Sequence, residues 1–284
     1  DNFKTAASKY KDAGVQLKIA KDFQAATDLQ LKAAEIFINK GNDRMNAALC
    51  YNEAGLCARQ FDHKKSVEHY KKAADLYLAL GRPSQAAKIF DEVAVIYDQD
   101  LFDRPNAIKC HQAAGDCYKN AKSEATAHGC FIKAANLMVS DGQYLEAIKQ
   151  FETIAEHYAR MSTMPHQVNN ACYRALLCQF AYEVQVEKKG QASKTFERLD
   201  RYTAIYPTFE DNDEARMIKE LATAYGENNV EAFQTSLKKR QYKLDEPAVN
   251  ILVIIKRAMD GDLVQPTRAN TGSPTAQPDD DQTD

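Results

Sequence analysis

Residues 44–80 read RMNAALCYNEAGLCARQFDHKKSVEHYKKAADLYLAL, and one pattern occurs in them twice. Ala48, Tyr51, Ala54 and Gly55 set it out: a small or apolar residue, two free positions, a large side chain, two free positions, then two small residues. Val67, Tyr70, Ala73 and Ala74 repeat it. Reading outward toward the N-terminus, it recurs as Ala7–Tyr10–Ala13–Gly14 and Thr27–Gln30–Ala33–Ala34. Toward the C-terminus it recurs as Ala87–Phe90–Val93–Ala94, Ile108–His111–Ala114–Gly115, His128–Phe131–Ala134–Ala135 and Ile148–Phe151–Ile154–Ala155. The large residue falls at positions 10, 30, 51, 70, 90, 111, 131 and 151. A constant step of about twenty residues marks stacked helices, each packed on its neighbours in the chain. Such stacks present long surfaces to other proteins and seldom do chemistry.

The spacing within each copy is helical, and no segment alternates with period two for long enough to suggest a sheet. Helices are predicted near 3–19, 22–40, 44–59, 63–80, 83–98, 105–120, 123–140, 144–160, 166–188 and 191–205. Shorter ones follow near 210–227, 229–239 and 246–260. Gly41, Gly81, Gly142 and Gly190 follow apolar runs and suit left-handed helix ends. Pro83 and Pro105 suit first turns, and Ser123 suits a cap. Gly14, Gly55 and Gly115 lie inside helices, where glycine costs about 1 kcal/mol against alanine. Their shared slot in the repeat points to close approach of neighbouring helices. Two helices per hairpin give a period near 40, longer than the 34 of a tetratricopeptide. The fold predicted is all-α: a tetratricopeptide-like helical-hairpin solenoid, a twisted sheet of antiparallel helices, over 1–205. A C-terminal helical bundle follows over 206–261, then a disordered polar tail over 262–284.

Net charge is −3 over 284 residues, with no basic field of the kind nucleic-acid binding requires. The seven cysteines, Cys50, Cys57, Cys110, Cys117, Cys130, Cys172 and Cys178, form no CxxC pair and read as buried free thiols. His111 and His128 sit at repeat positions and read as packing residues, whereas His63 and His69 read as solvent-facing. With the six histidines scattered along the chain, no metal or cofactor site is expected. Motifs for phosphate, dinucleotide, zinc-protease or serine-hydrolase chemistry are absent, so the chain does not read as an enzyme. The N-terminus shows no signal-peptide pattern, and the longest apolar stretch, Ala248 to Ile255, is too short to span a bilayer.

Ala48–Gly55 (ALCYNEAG), Ser66–Tyr77 (SVEHYKKAADLY), Gly81–Lys88 (GRPSQAAK), Tyr144–Phe151 (YLEAIKQF), Arg174–Phe180 (RALLCQF), Tyr206–Phe209 (YPTF), Asn228–Phe233 (NNVEAF) and Ile254–Met259 (IIKRAM) carry a resemblance. In order, and over roughly residues 4 to 263, the chain resembles the soluble NSF attachment proteins, the SNAP family, and is nearer their alpha (Sec17-like) branch than gamma. The resemblance implies an adaptor for vesicle trafficking, ER–Golgi transport included. Such an adaptor binds assembled SNARE complexes, which are long acidic coiled-coil bundles, and recruits and stimulates the hexameric ATPase NSF that disassembles them. It also implies a cytoplasmic protein in peripheral contact with membranes.

By matching position, the resemblance assigns SNARE contact to Arg82, Lys88, Lys133 and Arg174; a further family lysine falls on Gly129. It assigns NSF contact to Glu183, Glu227, Asp262 and Leu263, and two other family carboxylates fall on Thr223 and Gly226. Gly261–Asp262–Leu263 matches the family's end, yet about twenty residues follow it. The family's lipid-touching loop with paired phenylalanines would precede residue 1, and Phe3 does not replace it, so weak membrane affinity is expected. Two other readings stay open on the residues alone: a generic tetratricopeptide-like scaffold or co-chaperone, and a helical enzyme or a noncatalytic subunit of one.

Overall fold

The computed structural model describes residues 2–161, 164–187, 192–240 and 244–261. Among them the chain is all-α. The repeats form α1 (Asn2–Ile19), α2 (Phe23–Asn39), α3 (Arg44–Ala58), α4 (His63–Ala79), α5 (Pro83–Val95), α6 (Arg104–Asn120), α7 (Glu124–Ser140) and α8 (Tyr144–Met161). The remainder forms α9 (Pro165–Tyr182), α10 (Ser193–Ile205), the single turn α11 (Pro207–Glu210), α12 (Asp213–Gly226), α13 (Val230–Arg240) and α14 (Glu246–Met259). Two π-helical turns, Ile96–Asp100 and Glu183–Glu187, extend α5 and α9. The period-3.6 pattern does not reveal these wider turns. The proposed bundle and the solenoid also share one core, since the largest apolar cluster runs from Ile108 to Ile255 across residue 205. The expected tail, 262–284, lies outside the described residues.

The interior glycines explain the repeat. A Cβ built on Gly55 would lie 2.9 Å from Cγ and Cδ1 of Tyr70, and one on Gly115 would lie 2.4 Å from Cε1 of Phe131. One on Gly14 would meet Gln30 at 2.8 Å. The large residue of each of these repeats therefore seats on the glycine that ends the previous one. Helix packing at this distance demands a missing side chain. Tyr10, in α1, is 41% exposed.

Helix starts use a device the sequence reading did not single out. Asp22, Asp43, Asp62, Asp103 and Asp245 each accept from the backbone N–H three residues on, at 3.0–3.2 Å. Each satisfies an N–H that the helix leaves orphaned. Ser123 makes no such bond, which corrects the expectation for it. Pro83 and Pro105 do sit in first turns. Gly81 (φ 67°) and Gly142 (φ 76°) adopt the left-handed conformation, but Gly41 does not: Asn42 (φ 45°) takes that turn instead. Gly190 lies outside the described residues.

All seven cysteines are free and buried. Burial pushes the Cys50 and Cys130 thiols up to about 11 and the Cys172 and Cys178 thiols up to about 12. None is a poised nucleophile.

Candidate functional site

Side-chain ties between helices two apart define one layer of the stack. Lys18 of α1 meets Glu53 of α3 at 2.7 Å. Arg59, which caps α3, reaches Glu92 of α5 at 3.8 Å and Asp100 in the following π-turn at 3.0 Å. Asp91 of α5 holds Lys133 of α7 at 2.6 Å, and Asn136 of α7 accepts from Arg174 of α9 at 3.3 Å. These ties set α1, α3, α5, α7 and α9 side by side. All four basic residues expected to touch a partner, Arg82, Lys88, Lys133 and Arg174, belong to this layer, Arg82 at the N-cap of α5.

Their environments differ. Arg82 and Lys88 are exposed. The Lys133 side chain is half exposed but fixed by Asp91, which also takes Nδ1 of His111 at 2.8 Å. Those bonds, with His111 the larger effect and Lys133 next, hold the Asp91 carboxyl down to about 2 against the burial that opposes them. Arg174 is mostly covered, with its side chain 15% exposed. It donates to Asn170 at 2.7 Å and to Asn136, and pairs with Asp245, the residue that caps α14. Arg174 is thus a clamp between the stack and the last helix, and offers a partner far less surface than the sequence reading gave it.

The acidic residues divide likewise. Glu227 is exposed at the C-cap of α12. Glu183 is fully buried: its carboxylate accepts from the backbone N–H groups of Lys194 (2.7 Å) and Thr195 (2.8 Å) and from the Thr195 hydroxyl. It caps α10 from inside the core, which corrects the expectation that it faces a partner. Asp262 and Leu263 lie outside the described residues. Gly129, where the family lysine is missing, points into open space: a Cβ there would meet nothing within 4 Å.

Two expectations about histidine also change. His69 is buried, not solvent-facing. Glu124, His128 and His157 each bring one ligand atom within 4.8 Å of the other two. The α7–α8 hairpin joins histidines that look scattered in the sequence; a Glu-x-x-x-His spacing was the available signal.

Comparison with known proteins follows the same lines. The family model described as soluble NSF attachment protein, SNAP, matches residues 1–260. The alpha-soluble NSF attachment protein of Homo sapiens is 26% identical over 259 residues, covering 90% of this chain and 85% of that protein. The Saccharomyces cerevisiae protein of the same name is 27% identical over 260 residues, covering 90% and 86%. A probable vesicular-fusion protein sec17 homolog of Neurospora crassa is 27% identical over 258 residues, covering 90% and 86%.

Proposed function

The chain belongs to the soluble NSF attachment protein family, and from that premise we propose that it is an adaptor that binds assembled SNARE complexes and brings NSF to them for disassembly. What supports this reading is that α5, α7 and α9 share one layer of the stack and that Arg82 and Lys88 of α5 and Lys133 of α7 belong to that layer. A row of cations on stacked helices suits a long acidic coiled coil. Each contact is weak and sequence-tolerant, and together they raise the encounter rate and give salt-dependent affinity. At the other end, exposed Glu227 is the carboxylate assigned to NSF, while Glu183 serves the fold.

No described helix is long and apolar enough to cross a membrane. Contact with the bilayer is proposed to be peripheral and to come through the bound SNAREs. The adaptor itself carries out no reaction; ATP hydrolysis belongs to NSF.

The test is ATP-driven disassembly of a purified SNARE complex by NSF with this protein added. Lys88→Glu combined with Lys133→Glu is expected to weaken pull-down of the complex at moderate salt. Unimpaired pull-down by that double variant would mean the face is wrong. No disassembly by the wild type would mean the adaptor reading is wrong.

A further inference from the structure

Three buried polar atoms face one another between α7 and α8 without a hydrogen-bond partner. They are Oε2 of Glu124, Nδ1 of His128 and Nε2 of His157. Glu124 opens α7 and His128 lies four residues on, so both occupy one face of that helix. His157 reaches them from α8, with its Nε2 4.0 Å from the Glu124 carboxylate. The imidazole rings of His128 and His157 are 4.2 Å apart, edge to face. Buried polar groups are nearly always satisfied, and three orphans converging on one point need an explanation.

We propose that Glu124, His128 and His157 form a binding site for a divalent transition metal of the zinc class. Two imidazoles and a carboxylate are a borderline donor set that suits Zn²⁺ and Co²⁺ and not Mg²⁺ or Ca²⁺. Ligands around tetrahedral zinc, at about 2.0–2.2 Å from the ion, lie roughly 3.3 Å from one another. The present spacing, up to 4.8 Å, therefore closes by up to about 1.5 Å on binding. The Glu124 side chain, 39% exposed, and that of His157, 28% exposed, have room to make that movement. His128 and His157 also line a cleft of about 430 Å³, together with Asp116, Lys119, Glu156 and Arg160 among others, from which a water can complete the shell. The ion joins neighbouring helices of the stack, a structural role that does not depend on the adaptor reading.

The experiment uses the full chain, reduced and stripped with a chelator, titrated with ZnCl₂, CoCl₂ and MgCl₂ by calorimetry, visible absorption and thermal melting. One equivalent of Zn²⁺ is expected to bind and raise the melting temperature. Co²⁺ should give d–d bands without thiolate charge transfer, and Mg²⁺ should do nothing. Glu124→Gln and His157→Gln should each weaken Zn²⁺ binding at least tenfold. Glu124→Gln changes a partly exposed side chain, so it keeps the test valid if His157→Gln unfolds. No zinc binding, binding unchanged in Glu124→Gln, or thiolate bands that assign the ion to the cysteines would each overturn the proposal.

Discussion

Gly115→Ala and Gly129→Ala are the same chemical change on adjacent helices, and the packing predicts opposite outcomes. An alanine in a helix interior gains about 1 kcal/mol over glycine. At Gly129 nothing lies within 4 Å of the new methyl, so the variant keeps that gain. At Gly115 the methyl would lie 2.4 Å from Cε1, 2.7 Å from Cζ and 2.8 Å from Cδ1 of Phe131. Carbon atoms pack comfortably at about 3.5–4.0 Å, so the ring or the helix must retreat by about 1 Å. Phe131 is 8% exposed and packs in the largest core cluster, which limits how far its ring can retreat. Overpacking of this kind costs about 1–3 kcal/mol. A contact of 2.4 Å puts the cost in the upper part of that range, about 2–3 kcal/mol, so after the propensity gain Gly115→Ala loses about 1–2 kcal/mol against a gain of about 1 kcal/mol for Gly129→Ala. At about 2 °C per kcal/mol the two melting temperatures should separate by about 5 °C, and urea midpoints should move in the same senses. Phe131→Leu should recover part of the loss when combined with Gly115→Ala, because the pair shares one contact. A Gly115→Ala protein as stable as wild type would refute the claim that the repeat is built on large residues seated over glycines.

Three further outcomes follow from the site. Glu183→Gln leaves buried N–H groups of α10 without a charged acceptor, and should cost about 2–3 kcal/mol by chemical denaturation while NSF binding per folded molecule stays unchanged. Asp91, with a folded pKa of about 2 against an ordinary 3.8, contributes stability that is present above about pH 4 and fades as the pH falls toward 2. Wild type should therefore exceed Asp91→Asn on the order of 2 kcal/mol at pH 6 and match it near pH 2, as read from urea midpoints across that range. Arg174→Lys keeps the charge but loses the fork that reaches Asn136, Asn170 and Asp245; it should cost about 1–2 kcal/mol of stability and leave the salt dependence of SNARE binding unaltered.

The repeat was legible because one interaction recurs: Tyr70 on Gly55 and Phe131 on Gly115 are the same packing event, and each copy prints its spacing into the sequence. Helix positions followed, and so did the buried thiols, read from cysteine's bias toward burial and the lack of a CxxC pair. What depends on helices far apart in the chain was not legible. Arg174 read as a surface cation because its partner, Asp245, lies 71 residues on. Glu183 read as a surface carboxylate because its helix gives no sign that a π-turn aims it at the start of α10. His128 and His157 meet only once α7 and α8 fold into a hairpin. Local aspartates were available as caps, yet Ser123 was credited instead; propensity names candidates, and the chain's path selects among them.

The same distinction governs how the proposed binding face should be tested. Lys133 is both a cation of that face and the tie that holds α7 against α5 through Asp91. Lys133→Glu would set two carboxylates against each other beside buried His111, so any loss of binding by that variant mixes electrostatics with a displaced helix. Lys88 is exposed, one turn before Asp91 and Glu92 on α5, and has no ion-pair partner among the described residues. Lys88→Glu should leave the melting temperature unchanged, because an exposed, unpaired charge contributes little to the fold. It should still slow association with the SNARE bundle and flatten its dependence on ionic strength, since one cation fewer faces the acidic rod. A Lys88→Glu protein with normal stability and an unchanged association rate at low salt would remove the cationic face from the mechanism, whatever Lys133→Glu did.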